Sequence, residues 1–168
     1  MAHKWNHNDK TWSCDKTIIE LFEEQVERTP KNIAIKFENL TLSYQDLNEK
    51  VNQLANYLKD QGVISEAFIA IASDQPVELI IGILGILKAG GTYIPIDTSY
   101  PKDRIKFILE DTKASLILTQ YSFLTKLSTT TIKIFLMDLE KDKLKTYSNK
   151  NPRSEEHTSE LQSPDHLV

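Results

Sequence analysis

The sequence has little cysteine and no long apolar run. Cys14 is the single cysteine among 168 residues, so an internal disulfide is excluded and a reducing compartment is favoured. The longest apolar stretch, Leu79 to Leu87, is far shorter than the ~20 residues that a membrane span requires. No basic segment followed by an apolar one opens the chain, so we expect no secretion signal. These absences predict a cytoplasmic protein.

Excess charge of one sign is also missing from most of the chain. The whole sequence has 20 basic and 24 acidic residues, a net charge of -4. Residues 153–168 hold one of the basic and four of the acidic residues, so the rest has 19 against 20. A nearly neutral body does not favour nucleic acid or a membrane surface as a partner. With 40% hydrophobic residues it can still form a sizeable core.

Apolar patterning predicts alternating strands and helices. Thr17 and Glu20 have the spacing of a capping box, as have Ser43 and Asp46, and each pair precedes a helical pattern. Strands are predicted at 33–37, 40–42, 67–72, 92–96, 115–119 and 132–137. Helices are predicted after residues 17, 43, 75 and 101, with a short one at 121–127 and a loop at 141–150. This alternation predicts an α/β fold with a mostly parallel sheet flanked by helices.

The stretch LKAGGTYIPID, Leu87 to Asp97, looks at first like a phosphate-binding loop. In a Walker loop the lysine follows the glycines and precedes Ser or Thr, whereas Lys88 precedes Gly90 and Gly91. Gly90 instead suits the left-handed position that ends a helix. Pro95 cannot donate to a sheet ladder, which predicts an edge position or a bulge in the strand that contains it. The nearly all-apolar helix before it, from Val77, should be deeply buried, with Ser73 or Asp74 as its cap.

A metal or thiol site near the N-terminus has weak support. His3 and His7 are spaced i, i+4 and Asp9 is near, but the surrounding sequence has no helical pattern to align them. Cys14 could act as a nucleophile only with a helix end or a cation to lower its pKa and a histidine to act as base, and the sequence indicates neither arrangement. We therefore expect a solvated linker and an inert thiol.

Asp97 is a better candidate, because ligands of parallel α/β sheets gather where the strands end. We nevertheless expect Asp97 to cap the helix that begins at Pro101. Arg104, Glu110 and Asp111 are expected to be surface residues of that helix. The residues alone thus predict no catalytic, cofactor-binding or metal-binding residue.

Several segments resemble, in order, the start of an amino-acid adenylation (AMP-binding) domain of a nonribosomal peptide synthetase. They are TIIELFEEQVERTP, NIAIKF, LTLSYQDLNEKVNQLANYL, LKAGGTYIPID and YPKDRIKFILEDT. Trp5-Asn6 is similar to the linker that follows a condensation domain in this family. On this basis residues 1–16 are an inter-domain linker and residues 17–152 the N-terminal part of the adenylation domain. Ser148 to Pro152 resembles the stretch just ahead of the family's phosphate loop.

The resemblance implies a parent enzyme that activates an amino acid with ATP and Mg²⁺, as an aminoacyl adenylate. The amino acid then passes to a phosphopantetheine thiol on a carrier domain of the same assembly line. The family's phosphate loop, amino-acid pocket and catalytic lysine lie later in the chain, so we expect this fragment to be inactive and to bind no cofactor. Two alternatives remain open: a fragment of an acyl- or aryl-CoA ligase, and a non-catalytic α/β interaction module.

The final segment, RSEEHTSELQSPDHLV, does not resemble the family. It is similar to one reading frame of a common sequencing adapter, so we interpret residues 153–168 as a non-native, disordered tail. A natural acidic tail is the alternative that its composition allows.

Overall fold

The computed structural model describes residues 15–127 and 131–152. The helices are α1 (Ile18–Arg28), α2 (Tyr44–Asp60), α3 (Pro76–Lys88), α4 (Lys102–Thr112) and α5 (Lys141–Leu144), with a 3₁₀ helix at Tyr121–Lys126. The strands are β1 (Ile33–Phe37), β2 (Leu40–Ser43), β3 (Phe68–Ile71), β4 (Thr92–Pro95), β5 (Leu116–Thr119) and β6 (Lys133–Leu136). No helix in these two ranges is long and apolar enough to cross a membrane.

Four strands form a parallel sheet in the order β4-β3-β5-β6. Ile69 of β3 pairs with Tyr93 of β4 on one side and with Leu116 of β5 on the other. Parallel strands need crossover connections, and these run through α3 between β3 and β4, through α4 between β4 and β5, and through the 3₁₀ helix between β5 and β6. The predicted α/β class is confirmed, and Pro95 lies on an edge strand as predicted.

β1 and β2 form a separate antiparallel hairpin, whose two-residue loop is Glu38-Asn39. Glu38 has a φ of 50°, the positive value that such a tight loop requires at its first position. The predicted hairpin is therefore confirmed, and it leads directly into α2.

Local capping explains where the first two helices begin and where α2 ends. At Thr17 and at Ser43 the hydroxyl accepts from the N–H three residues later, and the acidic side chain there accepts from the cap N–H. After α2, Gly62 has a φ of 83°, and Val63 N–H donates to Leu58 O at 3.0 Å. This pattern is a Schellman motif, and Gly62 occupies its left-handed position.

The two faces of the sheet have separate apolar clusters. Ile69, Ile71, Leu118 and Phe135 pack with α2 and α3 on one face. On the other face, Ala70 and Ile117 pack with Ile105 and Leu109 of α4 and with the 3₁₀ helix. Alternate residues of β3 and β5 thus point into opposite layers, as expected for strands covered on both sides.

Two glycines let α3 approach its neighbours closely. A Cβ at Gly85 would lie 2.6 Å from Leu54 Cδ2 of α2, and one at Gly82 would lie 2.3 Å from Ile71 Cδ1 of β3. Helix α3 is less buried than its composition predicts, since Ile80 remains 38% exposed. Ile18 and Leu21 of α1 are also exposed. The described part of the chain therefore leaves one side of α1 and one side of α3 uncovered.

Two local predictions are wrong. The N-cap of α3 is Gln75, without a side-chain cap hydrogen bond, so Ser73 and Asp74 do not cap this helix. The Ser73 hydroxyl instead accepts from the Gln75 N–H at 3.1 Å. The Asp74 N–H donates to a side chain that follows β5. The predicted loop at 141–150 contains the helical turn α5, because Glu140 accepts from the main chain at Leu144 and Lys143.

Candidate functional site

Polar side chains meet where the parallel strands end, the edge at which ligands of such sheets bind. Gln120, which directly follows β5, is buried and lies at the centre of this group. Its Oε1 accepts from the Asp74 N–H at 3.0 Å, and its Nε2 donates to Glu78 Oε2 at 3.0 Å. Glu78 also pairs with Lys141 Nζ at 2.9 Å. The Gln120 amide thus joins the loop after β3 to helix α3, and Glu78 connects α3 to the turn α5.

Further contacts bind the neighbouring loops to each other. The Thr98 hydroxyl donates to the Asp74 carboxylate, and Lys126 Nζ donates to the Thr98 carbonyl. The Asp138 carboxylate accepts from the Tyr121 N–H at 3.0 Å. Each of these groups has a hydrogen-bond partner within the protein. The loops at this edge of the sheet are therefore held to one another by hydrogen bonds.

Asp97 does not cap α4, contrary to the prediction. The N-cap of α4 is Pro101, and Asp97 Oδ1 accepts from the Ser99 N–H at 2.8 Å instead. Its hydrogen bonds with Ser99 lower the pKa of Asp97, with a smaller effect of the Lys126 charge. The carboxylate thus closes an Asx turn ahead of the helix, and the helix itself begins only after Pro101.

These residues do not fit a bound metal or the phosphates of ATP. Within the described ranges, no group of three His, Cys, Asp or Glu side chains could hold a metal ion. The carboxylates of Asp74, Glu78, Asp97 and Asp138 already accept hydrogen bonds from the protein. Among the side chains described at this edge, none is a nucleophile that is hydrogen-bonded to a histidine base.

Lys88, set aside above as a phosphate ligand, is the centre of a second polar cluster. Its side chain is 3% exposed, and Nζ lies 2.7 Å from Glu23 Oε1 of α1. Nζ also donates to Asn48 Oδ1 at 2.8 Å and to Asn151 Oδ1 at 3.1 Å. All three ammonium protons therefore have acceptors, from α1, α2 and the segment that follows α5.

Three asparagines of α2, each one turn apart, bind that same segment. Asn56 Nδ2 donates to the carbonyls of Ser148 at 2.8 Å and of Lys150 at 3.2 Å. Asn52 Nδ2 donates to Asn149 O at 2.7 Å and to Asn151 Oδ1 at 2.9 Å. Asn48 Nδ2 reaches Asn151 Oδ1 at 3.2 Å. We call Asn48, Asn52 and Asn56 the asparagine ladder.

An open groove of about 730 Å³ separates the β1–β2 hairpin from α3 and α5. Its lining is mainly apolar, with lysines at the sides: Leu40, Leu42, Val77, Ile81, Met137 and Leu144, and Lys50, Lys141 and Lys145. The groove lies beside the uncovered side of α3, so it continues the apolar surface of that helix.

The other residues named from the sequence have separate positions. Arg104, Glu110 and Asp111 are exposed on α4, as predicted. Arg104 lies over the Tyr100 ring at 5.6 Å, and Glu110 pairs with Lys106 at 3.8 Å. The metal hypothesis at His3, His7, Asp9 and Cys14 lies outside the described residues, as does the tail from residue 153.

Sequence reasoning did not identify the asparagine ladder, although one signal was present. Asn48, Asn52 and Asn56 recur at four-residue intervals in a helical pattern whose other repeated positions are apolar. Side chains at this spacing are neighbours on one face of the helix, so the three amides are placed to bind one partner together. The partner segment is about 100 residues away in sequence, and no local pattern predicts it.

Comparison with known proteins gives the family. The sequence matches the family model described as AMP-binding enzyme over residues 22–168. It is 46% identical over 127 residues to bacitracin synthase 2 of Bacillus licheniformis, covering 76% of this chain and 5% of that protein. It is 48% identical over 120 residues to gramicidin S synthase 2 of Brevibacillus brevis, covering 71% of this chain and 3% of that protein. The chain thus spans only 3% to 5% of the length of these relatives.

Solved structures of nonribosomal peptide synthetases have a similar fold. The nonribosomal peptide synthetase FmoA3, in its alpha-methyl-L-serine-AMP bound form, superposes with a TM-score of 0.72 at 28% identity, over 79% of this chain and 15% of that one. The N-terminal subdomain of Klebsiella oxytoca NpsA shares the fold with a TM-score of 0.72 at 23% identity, over 82% of this chain and 34% of that one. The chain belongs to the AMP-binding enzyme family, as an N-terminal part of a nonribosomal peptide synthetase adenylation domain.

Proposed function

We propose that this chain is part of an enzyme that activates an amino acid with ATP and loads it onto a carrier-protein thiol. In the first step a carboxylate oxygen of the amino acid attacks the α-phosphorus of ATP, and pyrophosphate leaves. In the second step the thiol sulfur attacks the acyl carbon of the adenylate, the thiol proton is released, and AMP leaves. The product is an acyl thioester ready for peptide synthesis.

The observation that carries the proposal is the identity of 46% to bacitracin synthase 2 and of 48% to gramicidin S synthase 2. Identity at this level over more than two thirds of the chain favours a peptide synthetase over an acyl- or aryl-CoA ligase. The FmoA3 neighbour supports the first step, since its bound molecule is an amino acid joined to AMP. A non-catalytic module is less well supported, because bacitracin synthase 2 and gramicidin S synthase 2 are named as synthases.

Within that enzyme, we assign a scaffolding role to this chain and expect it to be inactive alone. The carboxylates at the edge where the parallel strands end accept hydrogen bonds from the protein, and the Lys88 ammonium has three acceptors. Positioning is a large part of catalysis in a reaction of this kind, so a rigid scaffold still affects the rate. Mg²⁺ would be held by other parts of the parent, since the described residues form no group of three metal-ligating side chains. Phosphopantetheine would be carried by the carrier domain.

The partners proposed for the parent are the amino acid, ATP, and carrier and condensation domains of one assembly line. Neither nucleic acid nor a membrane is proposed as a partner. Residues 1–16 would serve as the linker to a preceding domain and residues 17–152 as the adenylation part. We propose a cytoplasmic location, which the single cysteine supports.

ATP–pyrophosphate exchange tests the proposal. The 168-residue chain and the uninterrupted protein from its genomic locus would be assayed with each proteinogenic amino acid. We expect exchange above background from the uninterrupted protein for one or a few amino acids, and none from the 168-residue chain. Exchange by the short chain would contradict the scaffolding role. Formation of acyl-CoA from fatty or aryl acids, without amino-acid exchange, would favour the CoA-ligase alternative.

A further inference from the structure

The segment from Ser148 to Asn151 is fixed by side chains rather than by regular secondary structure. Three carbonyl groups of its main chain accept from the asparagine ladder, at distances from 2.7 to 3.2 Å. Because the ladder residues are one helical turn apart, they bind the segment at successive points along the axis of α2. The segment therefore has a defined direction as well as a defined position.

The side chain of Asn151 is where these contacts converge. Its Oδ1 accepts from Asn52 at 2.9 Å, from Lys88 at 3.1 Å and from Asn48 at 3.2 Å. The donors come from two helices, and Lys88 is in turn bound to Glu23 of a third helix. An oxygen held from several directions can move little without breaking a charge-assisted hydrogen bond.

Asn52 of the ladder is a buried amide that satisfies only part of its hydrogen-bonding capacity. Asn52 is 1% exposed, and its Oδ1 has no hydrogen-bond partner among the described residues. An unpaired buried carbonyl oxygen is unfavourable, and an apolar side chain of similar shape would avoid that penalty. What the amide provides, and an apolar residue would not, is the pair of hydrogen bonds to Asn149 and Asn151.

We propose that Asn48, Asn52 and Lys88 are positioning residues that act through Asn151. They fix the direction in which the chain leaves the subdomain, and so the placement of the segment that follows Pro152. This inference rests on the proposed function, an enzyme that binds ATP, and on the resemblance of Ser148 to Pro152 to the stretch just ahead of the family's phosphate loop. The anchor therefore determines how well ATP is bound, and has little effect on the amino acid.

The anchoring is tested first on the 168-residue chain by trypsin cleavage after Lys150, which requires local detachment of the segment. Asn52→Leu keeps the branched shape and the number of heavy atoms of the side chain and removes both donors. We expect it to speed this cleavage about tenfold or more, which corresponds to the loss of one or two good hydrogen bonds. Gln53→Leu, at the next position of α2, is the matched control and should change the rate by less than about twofold.

Asn48→Leu and Asn56→Leu, at half-buried positions, repeat the test if Asn52→Leu lowers the melting temperature too far. Faster cleavage after Lys150 in these variants, while cleavage after Lys59 in α2 stays slow, supports the anchor. Unchanged cleavage after Lys150 in folded ladder variants overturns it, whatever the function of the parent.

Positioning is tested in the uninterrupted protein by ATP–pyrophosphate exchange. Asn151→Leu should raise the KM for ATP about tenfold, while the KM for the amino acid changes less than about twofold. Asn151→Asp keeps an oxygen acceptor for Lys88 and should keep the wild-type KM for ATP. An equal rise of both KM values, or no rise, refutes the positioning role. Absence of exchange in the wild type would instead refute the proposed function, and the cleavage experiment would still decide the anchor.

Discussion

The ammonium nitrogen of Lys88 lies 2.7 Å from a carboxylate oxygen of Glu23, and this pair joins the end of α3 to α1. The Lys88 side chain is 3% exposed and the Glu23 side chain 28%, so the pair is partly removed from solvent. Burial lowers the pKa of Lys88, and the hydrogen bond and charge of Glu23 oppose that effect. The Phe22 ring, 5.9 Å away, covers the ammonium from the remaining side.

Removing the carboxylate should therefore destabilise the protein. We expect Glu23→Gln to lower the free energy of unfolding by about 1–3 kcal/mol, because it leaves a buried ammonium without a counter-charge. The double variant Glu23→Gln/Lys88→Met should lose less than the sum of the two single variants. Urea unfolding of all four proteins measures this coupling, and purely additive losses would show that the pair is not coupled.

Asp46 makes the start of α2 sensitive to acid. Its carboxylate accepts from the Ser43 hydroxyl at 2.6 Å and from the Ser43 N–H at 2.9 Å. These bonds lower the pKa of Asp46 below its ordinary value of 3.8. The folded state thus binds this proton less readily than the unfolded state. The stabilisation is complete above pH 3.8 and is lost as the pH falls through the lowered pKa.

We therefore expect Asp46→Asn to destabilise the protein at neutral pH and to make the melting temperature fall less steeply in acid. Melting curves from about pH 6 to about pH 2 would show the difference between variant and wild type shrinking as the pH falls. Asp111→Asn, which removes one charge from an exposed site on α4, is the control. A constant difference across this range would mean that the capping hydrogen bonds contribute nothing to the acid response.

Gly85 is required by packing rather than by backbone conformation. A Cβ there would lie 2.6, 2.9 and 3.2 Å from three carbons of the fully buried Leu54. Alanine is about 1 kcal/mol better than glycine inside a helix, but overpacking of a core costs about 1–3 kcal/mol. We expect Gly85→Ala to be net destabilising in chemical denaturation. Gly82→Ala should cost less, because its nearest obstacle is the terminal methyl of Ile71.

The sequence predicts well those features that depend on neighbouring residues. Capping at Thr17 and Ser43, the Glu38-Asn39 turn and the left-handed Gly90 all follow from short-range chemistry, and the structure confirms them. Alternating apolar runs also predict the parallel sheet, since only strands covered on both faces are apolar throughout.

Features that depend on distant residues or on competing local contacts do not follow from the sequence in the same way. The position of Asp97 predicts a cap on α4, but Pro101 separates it from the helix and Ser99 captures its carboxylate. The partners of Lys88 are 40 or more residues away in sequence, on α1, on α2 and in the segment after α5. The periodicity of a sequence predicts which face of a helix is polar. It does not identify the segment that binds to that face.

The groove beside α3 predicts exposed apolar surface. Leu40 lines it and is 45% exposed. We expect the 168-residue chain to bind a hydrophobic dye and to aggregate at high concentration. Leu40→Lys should lower dye fluorescence more than Phe107→Lys, although Phe107, on α4, is 63% exposed. A monomeric wild-type chain without dye binding would show that this surface is already covered.

Residues 153–168 should contribute nothing to stability, in keeping with our proposal that they are not native to the protein. The sequence of the segment has few large apolar residues, Leu161, Leu167 and Val168, and their burial would be too small to offset the entropy of ordering. Glu156 and Glu160, spaced i, i+4, also disfavour a helix by repulsion. We expect a chain ending at Pro152 to melt at the same temperature as the full chain, within the error of calorimetry. The family match extends to residue 168, so a lower melting temperature on deletion would show that the segment belongs to the domain.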